Sequence, residues 1–401
     1  MKIAIFNPYF ESLGGGEKVT SVMADHLSNN HEVTVLVKKS VDIENVEKFF
    51  DVNLSKVRFL EIPNDPVMIR LLTNRFSKLP GRWKSLLFDT SGLNALKKLK
   101  VDLFINNLYQ SSMPSPAPKS IYMCMFPQKL SNKLTHRGLV KNTYSMFTDI
   151  LEKVVIGTKA QAISSYTVVT ANSKYTAGWI KKYWSTTAEV IYPVCDDMGP
   201  SVTKKQKIIS VGRFFSDNGS SHHKKQHELI DAFIKMDNPH WELHLVGSAG
   251  EDDDTKRFMK KLNTLIGKRN NIILHPNMKL DDLKKLYRQS SIYWHATGLG
   301  YDSVKFPENQ EHFGISTVEA MSAGVVPVVI NSAGQQEIVS NGINGLLWND
   351  KTELIELTSE LINDPKRLEI LSKEATKSSE QFNRKAFIKH LDKLILEVCN
   401  E

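Results

Sequence analysis

Apolar residues along this chain come in short bursts separated by amphipathic stretches, and the alternation repeats from one end to the other. The first forty residues hold the apolar run KIAIFN, the loop-forming PYFESLGGG, the helically spaced EKVTSVMADHLSNN and the alternating, β-branched HEVTVLV. That order predicts strand, loop, helix, strand, one βαβ unit of the kind that builds parallel sheets. VDLFINN, KSIYMCMF and YTVVTAN read as further strands, the last leading into the helical SKYTAGWIKKYW. Over residues 196–206, DDMGPSVTKKQ, periodicity gives way to Gly, Pro and charge, as in a linker. The pattern then restarts. KIISVGRFF, WELHLVG, NIILHP, SIYWHA and VVPVVI read as strands, with the helices KQHELIDAFIKM, DDTKRFMKKLNTLIGKR and LDDLKKLYRQS between them. Near the end, RKAFIKHLDKLILEV puts Phe387, Ile388, Leu391, Leu394, Ile395 and Val398 on one helical face, which must pack against something.

Two successive runs of βα units predict an α/β chain of two Rossmann-like domains facing a cleft. Their expected spans are 1–197 and 198–380, with 381–401 a C-terminal helix. Composition keeps this picture: 401 residues, 41% hydrophobic and 24% charged, describe an ordinary globular chain. The apolar run before Asn7-Pro8 is too short for a secretion signal, and no segment approaches membrane-spanning length. Cys124, Cys195 and Cys399 are odd in number and far apart, which fits a reducing compartment. The expected location is cytoplasmic. A net charge of +8 suits anionic partners, but no zinc-finger, helix-turn-helix or RNA-binding aromatic spacing is visible, so no nucleic-acid partner is expected.

Three stretches carry candidate chemistry. In EHFGISTVEAMSAGVVPVVI, residues 311–330, Ser316-Thr317-Val318-Glu319 fits a capping box and predicts a helix start near Gly314–Ser316. The backbone N–H groups of Phe313, Gly314 and Ile315 would then face a phosphate at the positive end of the helix. Two carboxylates there, Glu311 and Glu319, would repel phosphate and suit hydroxyl groups such as those of sugars. From these residues alone, a capping Glu319 and a solvated Glu311 account for the pattern equally well. In the second stretch, SVGRFFSDNGSSHHKKQ, Arg213 and Lys224 could neutralise a diphosphate without a metal, or form a basic loop in water. The third, Gly14-Gly15-Gly16-Glu17, allows close approach to a ligand but is not the dinucleotide fingerprint.

Taken together, these stretches resemble the retaining GT-B-fold glycosyltransferases of glycosyltransferase family 4 over essentially the whole chain. The matching segments are GGGEK at 14–18, ANSKYTAGWIKKYW at 171–184, IYPVCD at 191–196, VGRF at 211–214, KKQ at 224–226 and EHFGISTVEAMSAGVVPVV at 311–329, continued by GQQEIVSNGINGLLW. The most specific is the E-x7-E element, Glu311 to Glu319. The resemblance implies that Glu319 holds the ribose hydroxyls of a nucleotide and that Glu311 sits beside the donor sugar as the catalytic carboxylate. It implies further that Arg213 and Lys224 bind the diphosphate, with Lys225 the alternative to Lys224. Gly15, Gly16 and the amides of Phe313, Gly314 and Ile315 would meet phosphate. No cofactor and no metal are expected. The implied reaction moves a hexosyl group from a UDP- or GDP-sugar to a sugar, glycan or lipid-linked acceptor, with retention of anomeric configuration.

Two features depart from the family pattern. Met125 stands where many relatives carry a histidine, which puts the route of acceptor deprotonation in question, and the loop from Arg213 to Lys224 is longer than usual. Of the other histidines, His222 and His223 lack a third metal ligand, His295 reads as a packed strand-end residue, and His312, beside Glu311, is the strongest extra candidate. Rival readings are a nucleotide-sugar epimerase of the same architecture, a non-catalytic sugar-nucleotide-binding protein and, weakest, a NAD-dependent dehydrogenase. Finally, residues 67–88 interleave Arg70, Arg75, Lys78, Arg82 and Lys84 with apolar residues and Trp83, a composition that suits contact with an anionic membrane face.

Overall fold

The structure, a computed structural model, describes residues 1–10, 13–62, 93–109, 111–130, 159–215 and 223–400. The basic-apolar stretch 67–88 and His222 lie outside the described residues. The chain divides into two compact units, residues 1–193 with 387–401, and residues 194–386.

In the first unit the described strands are β1 (Lys2–Phe6), β2 (Glu32–Val37), β3 (Arg58–Glu61), β4 (Leu103–Asn106), β5 (Lys119–Cys124), β6 (Val168–Ala171) and β7 (Glu189–Val190). They pair in parallel in the order β3-β2-β1-β4-β5-β6-β7. In the second unit β8 (Lys207–Val211), β9 (Glu242–Gly247), β10 (Ile272–Pro276), β11 (Ile292–His295), β12 (Val326–Ile330) and β13 (Leu346–Trp348) pair in parallel as β10-β9-β8-β11-β12-β13. Counted from the first strand of each unit, both orders read 3-2-1-4-5-6, with β7 added as a seventh strand in the first. This is the doubly wound arrangement, whose strand order reverses between the first and fourth strands. Ligands in such sheets bind outside the carboxyl ends of the strands at that reversal, here between β1 and β4 and between β8 and β11.

Strands covered on both faces must be apolar throughout, which is why LFIN of β4 and VPVVI of β12 are buried along their whole lengths. The second core gathers Trp294 and Trp348 with Leu243, Leu245, Phe233 and Leu361. Its two indoles are fully buried and each has a partner, Trp294 Nε1 on Thr358 Oγ1 at 3.0 Å and Trp348 Nε1 on the Val328 carbonyl at 3.2 Å. The C-terminal helix Arg384–Asn400 buries Phe387, Leu391, Leu394, Ile395 and Val398, while Ile388 is only half-buried. Asp392 on that helix bonds His26 of the helix Gly15–Ser28 at 2.6 Å, within the first unit.

Two glycines give opposite expectations. A Cβ on Gly247 would lie 2.1 Å from the backbone oxygen of Gly212, whereas one on Gly178, inside the helix Lys174–Trp184, meets nothing within 4 Å. Gly247→Ala should therefore cost about 1–3 kcal/mol by overpacking, and Gly178→Ala should add about 0.5–1 kcal/mol by favouring the helix. Thermal unfolding should show a lowered midpoint for the first and a raised one for the second; shifts of the same sign would contradict this packing.

Candidate active site

The second unit brings most of the singled-out residues to the β8/β11 reversal. β11 ends at His295, and Glu311 follows after a loop; the chain then turns through Gly314 into the helix Ile315–Ser322. The turn needs glycine twice. Gly314 has φ +121°, and a Cβ there would lie 2.5 Å from Gln335 Nε2. A Cβ on Gly334 would lie 2.5 Å from both the His312 oxygen and Phe313 Cα. With both side chains absent, the turn lies flat on the segment that begins the short helix Gln335–Ile338. Gly334 N–H donates to the Glu311 carbonyl at 2.9 Å, and Thr317 Oγ1 donates to Gln335 Oε1 at 3.0 Å. Phe313 is buried with its ring edge-on to Phe382.

The helix starts where the spacing put it, but the capping box does not form. Gly314, not Ser316, is the N-cap, with no side-chain cap bond. Ser316 is already inside the first turn, where its hydroxyl bonds Tyr293 Oη at 2.8 Å. A left-handed glycine entry leaves the capping position without a side chain, so the pattern S-x-x-E has nothing to cap. The first N–H groups of a helix lack intrahelical partners, and this makes the 313–315 turn a place where an anion is favoured.

Glu311 is the electrostatic centre. One of its oxygens, Oε2, accepts from Lys224 Nζ at 2.5 Å and from His295 Nε2 at 3.0 Å. Burial alone would raise the carboxyl, but the Lys224 charge and the His295 bond outweigh it and hold Glu311 well below the usual carboxylate range. His295 is 2% exposed; burial lowers its value, which the Glu311 bond opposes and the Lys224 charge reinforces. Among the described residues its Nδ1 has no hydrogen-bond partner. The strand-end reading of His295 is correct as far as it goes, but it missed the bond to Glu311. The available signal was position: His295 closes β11 at the reversal of strand order. His312 is buried, and its backbone oxygen is the one Gly334 packs against.

Lys224 reaches Glu311 because Gly212, just after β8, has no side chain: a Cβ there would lie 2.5 Å from Lys224 Cγ. Lys225 has φ +53° and turns its ammonium over the Tyr301 ring at 4.5 Å. The neighbouring lysines thus face different groups. Arg213 is exposed, with its guanidinium 5.4 Å from the Phe215 ring centre. Its carbonyl and that of Gly212 both accept from Gln226 Nε2, at 3.0 and 3.1 Å. Glu319 is half-buried one turn into the helix. Burial, opposed by the Ser316 bond, raises the Tyr293 phenol, and the charges of Glu311 and Glu319 both add to the rise.

In the first unit, Gly14 N–H donates to Glu17 Oε2 at 2.9 Å, and the helix begins at Gly15. Asn107, just after β4, donates to the Gly16 carbonyl at 3.0 Å and to Thr20 Oγ1 at 2.8 Å. Gly15 and Gly16 therefore sit at the β1/β4 reversal. A Cβ on Gly16 would lie 2.8 Å from Met125 Cε, so the methionine that replaces the expected histidine packs on the glycine turn itself. Among the described residues no group of three or more His, Cys, Asp or Glu side chains is placed to hold a metal ion. None of the described helices is long and apolar enough to cross a membrane.

Residues 198–378 match the family described as glycosyl transferases group 1. The chain is 24% identical to the Dictyostelium discoideum GDP-Man:Man(3)GlcNAc(2)-PP-Dol alpha-1,2-mannosyltransferase, over 100% of this chain and 85% of that protein. The human protein of the same description is 25% identical over 96% of this chain and 85% of its own length. Among solved structures, Anabaena HepE in complex with UDP and glucose superposes with a TM-score of 0.69 at 16% identity, covering 98% of this chain and 99% of that one. WaaG, a glycosyltransferase involved in lipopolysaccharide biosynthesis, gives 0.64 at 13% identity, covering 96% and 98%. These likenesses favour transfer over epimerisation. With the fold set by the superpositions and residues 198–378 matched to glycosyl transferases group 1, this chain is a GT-B-fold glycosyltransferase.

Proposed function

We propose that this glycosyltransferase moves a hexosyl group from a nucleoside-diphosphate sugar to a glycan or lipid-linked acceptor hydroxyl, with retention and without a metal. GDP-mannose is the first donor to test, because the two mannosyltransferases above carry it in their descriptions. The observation that carries the reading is the half-buried, ionised Glu311 held by Lys224 and His295 beside a glycine-entered helix start. In this reading the 313–315 amides and Arg213 take the diphosphate, and Lys224 is shared between it and Glu311. Glu319 takes the ribose hydroxyls, and Gly15 and Gly16 offer backbone to phosphate. Glu311 supports the positive charge that develops at the anomeric carbon. The departing phosphate accepts the acceptor's proton on the same face of the sugar, so Met125 in place of a histidine does not stop the reaction. Residues 1–197 would receive the acceptor and 198–380 the donor. The stretch 67–88 would touch an anionic membrane at its cytoplasmic face, where a lipid-linked acceptor is presented.

Turnover of GDP-mannose and UDP-glucose with lipid-linked and free glycan acceptors, followed by NMR of the product's anomeric proton, tests the reaction; an inverted linkage would refute it. Glu311→Gln should lower kcat by about 10²–10³ and leave nucleotide affinity nearly unchanged. Glu319→Ala should weaken donor and free nucleotide binding by roughly 10- to 100-fold, the loss of one charge-assisted hydrogen bond. Equal affinity for the variant would remove Glu319 from the nucleotide site. EDTA should not alter the wild-type rate. The Glu311 carboxyl in the folded chain is held well below its ordinary value of 4.5. Its stabilisation is thus present above that value and lost only as pH falls through the folded one. The kcat profile should show no acid limb from Glu311 between about pH 5 and 7.

A further inference from the structure

The helix Ile315–Ser322 has a second polar end. Just past its C-cap Ala323, Gly324 lines a cavity of about 640 Å³ whose walls include Ser201, Lys204, Ser291, Ser372 and Lys377. Lys204 precedes β8 and Ser291 precedes β11, so the cavity lies at the amino-terminal edge of the sheet. The candidate active site is at the carboxyl edge. The linker is pinned beside it: Lys205 N–H donates to the Gln289 carbonyl at 2.7 Å, and Ser291 Oγ donates to the Lys205 carbonyl at 2.6 Å. Ser372 Oγ donates to the Gly324 carbonyl at 2.6 Å.

Lys204 is the unusual group. Its Nζ donates to the Ala323 carbonyl at 2.7 Å, and among the described residues no carboxylate pairs with it. The charged groups on the facing wall are Glu369, Lys373, Lys377 and Glu380; Glu369 is engaged by Lys373 at 2.6 Å. Burial alone pulls the Lys204 ammonium down from 10.5 to about 7. At pH 7.5 a lysine of ordinary value keeps only about 0.1% of its amine free. A desolvated lysine open to a cavity is the arrangement that makes an amine a nucleophile.

We propose that Lys204 is a modification site, acylated by small acyl phosphates that enter this cavity. Lys377, on the facing wall, attracts the phosphate. The free amine attacks the acyl carbon and the C–N bond forms. The acyl carbon–oxygen bond breaks, its electron pair leaving with inorganic phosphate, and the amine proton passes to that phosphate. The amide product keeps an N–H for the Ala323 carbonyl but can no longer take up a proton at the carboxyl end of the helix, where a cation is favoured.

The test is acetylation of the whole protein with acetyl phosphate at pH 7.5, read by site-resolved mass spectrometry. Lys204 should react at least about tenfold faster than Lys373 and Lys377, which share the cavity and hence the local supply of reagent. Repeated across pH, the Lys204 rate should level off above about pH 8, while the other two continue to climb. Comparable rates at the three lysines, or a Lys204 rate still climbing above that pH, would overturn the proposal.

Discussion

The candidate site is organised around one half-buried carboxylate. Glu311 would be costly to keep ionised in its surroundings if it stood alone. Lys224 and His295, both on the same oxygen, make the ionised form the stable one. These three residues come from three different stretches: the loop after β8, the end of β11 and the loop before the helix Ile315–Ser322. Holding them together constrains the backbone at each place. Gly212 lets Lys224 pass, and Gly314 with Gly334 lets the turn lie flat. The second oxygen of Glu311 has neither of these bonds, and in the proposed reaction it faces the sugar.

The same strand order occurs twice, and it places a glycine turn at both reversals: Gly14–Gly16 after β1 and Gly212 after β8. What differs is the polar company. In the first unit the turn is held by the amides and hydroxyl of Asn7, Asn107 and Thr20 and by one carboxylate, Glu17, on the Gly14 N–H, with Met125 packed against it. In the second the Gln226 amide holds the Gly212 and Arg213 carbonyls, and the cationic side chain of Lys224 lies against the glycine. This division fits a transferase that handles a polyanionic donor mainly with one unit.

The fold class was legible because it depends on local periodicity. Buried parallel strands such as VVPVVI and helices such as KQHELIDAFIKM announce themselves within a few residues, and two runs of them imply two sheets. Features that depend on one dihedral or on distant pairing were not legible. The S-x-x-E pattern suggested a cap at Ser316, but the left-handed Gly314 took that position and sent the serine to Tyr293. Lys224 and Lys225 are indistinguishable as letters. The positive φ of Lys225 separates them, turning one toward Glu311 and the other toward Tyr301. His295 reads as a packed strand-end residue because its bond to Glu311 spans sixteen positions.

The central claim is that Glu311 and Lys224 act as one unit in the reaction. A double-mutant cycle of Glu311→Gln and Lys224→Met on kcat/KM, with the donor that supports turnover, tests it most directly. Residues that act as a unit show strongly non-additive losses. The account predicts a double variant about as slow as the worse single variant. Losses that simply multiply would contradict it and leave the ion pair a feature of folding alone.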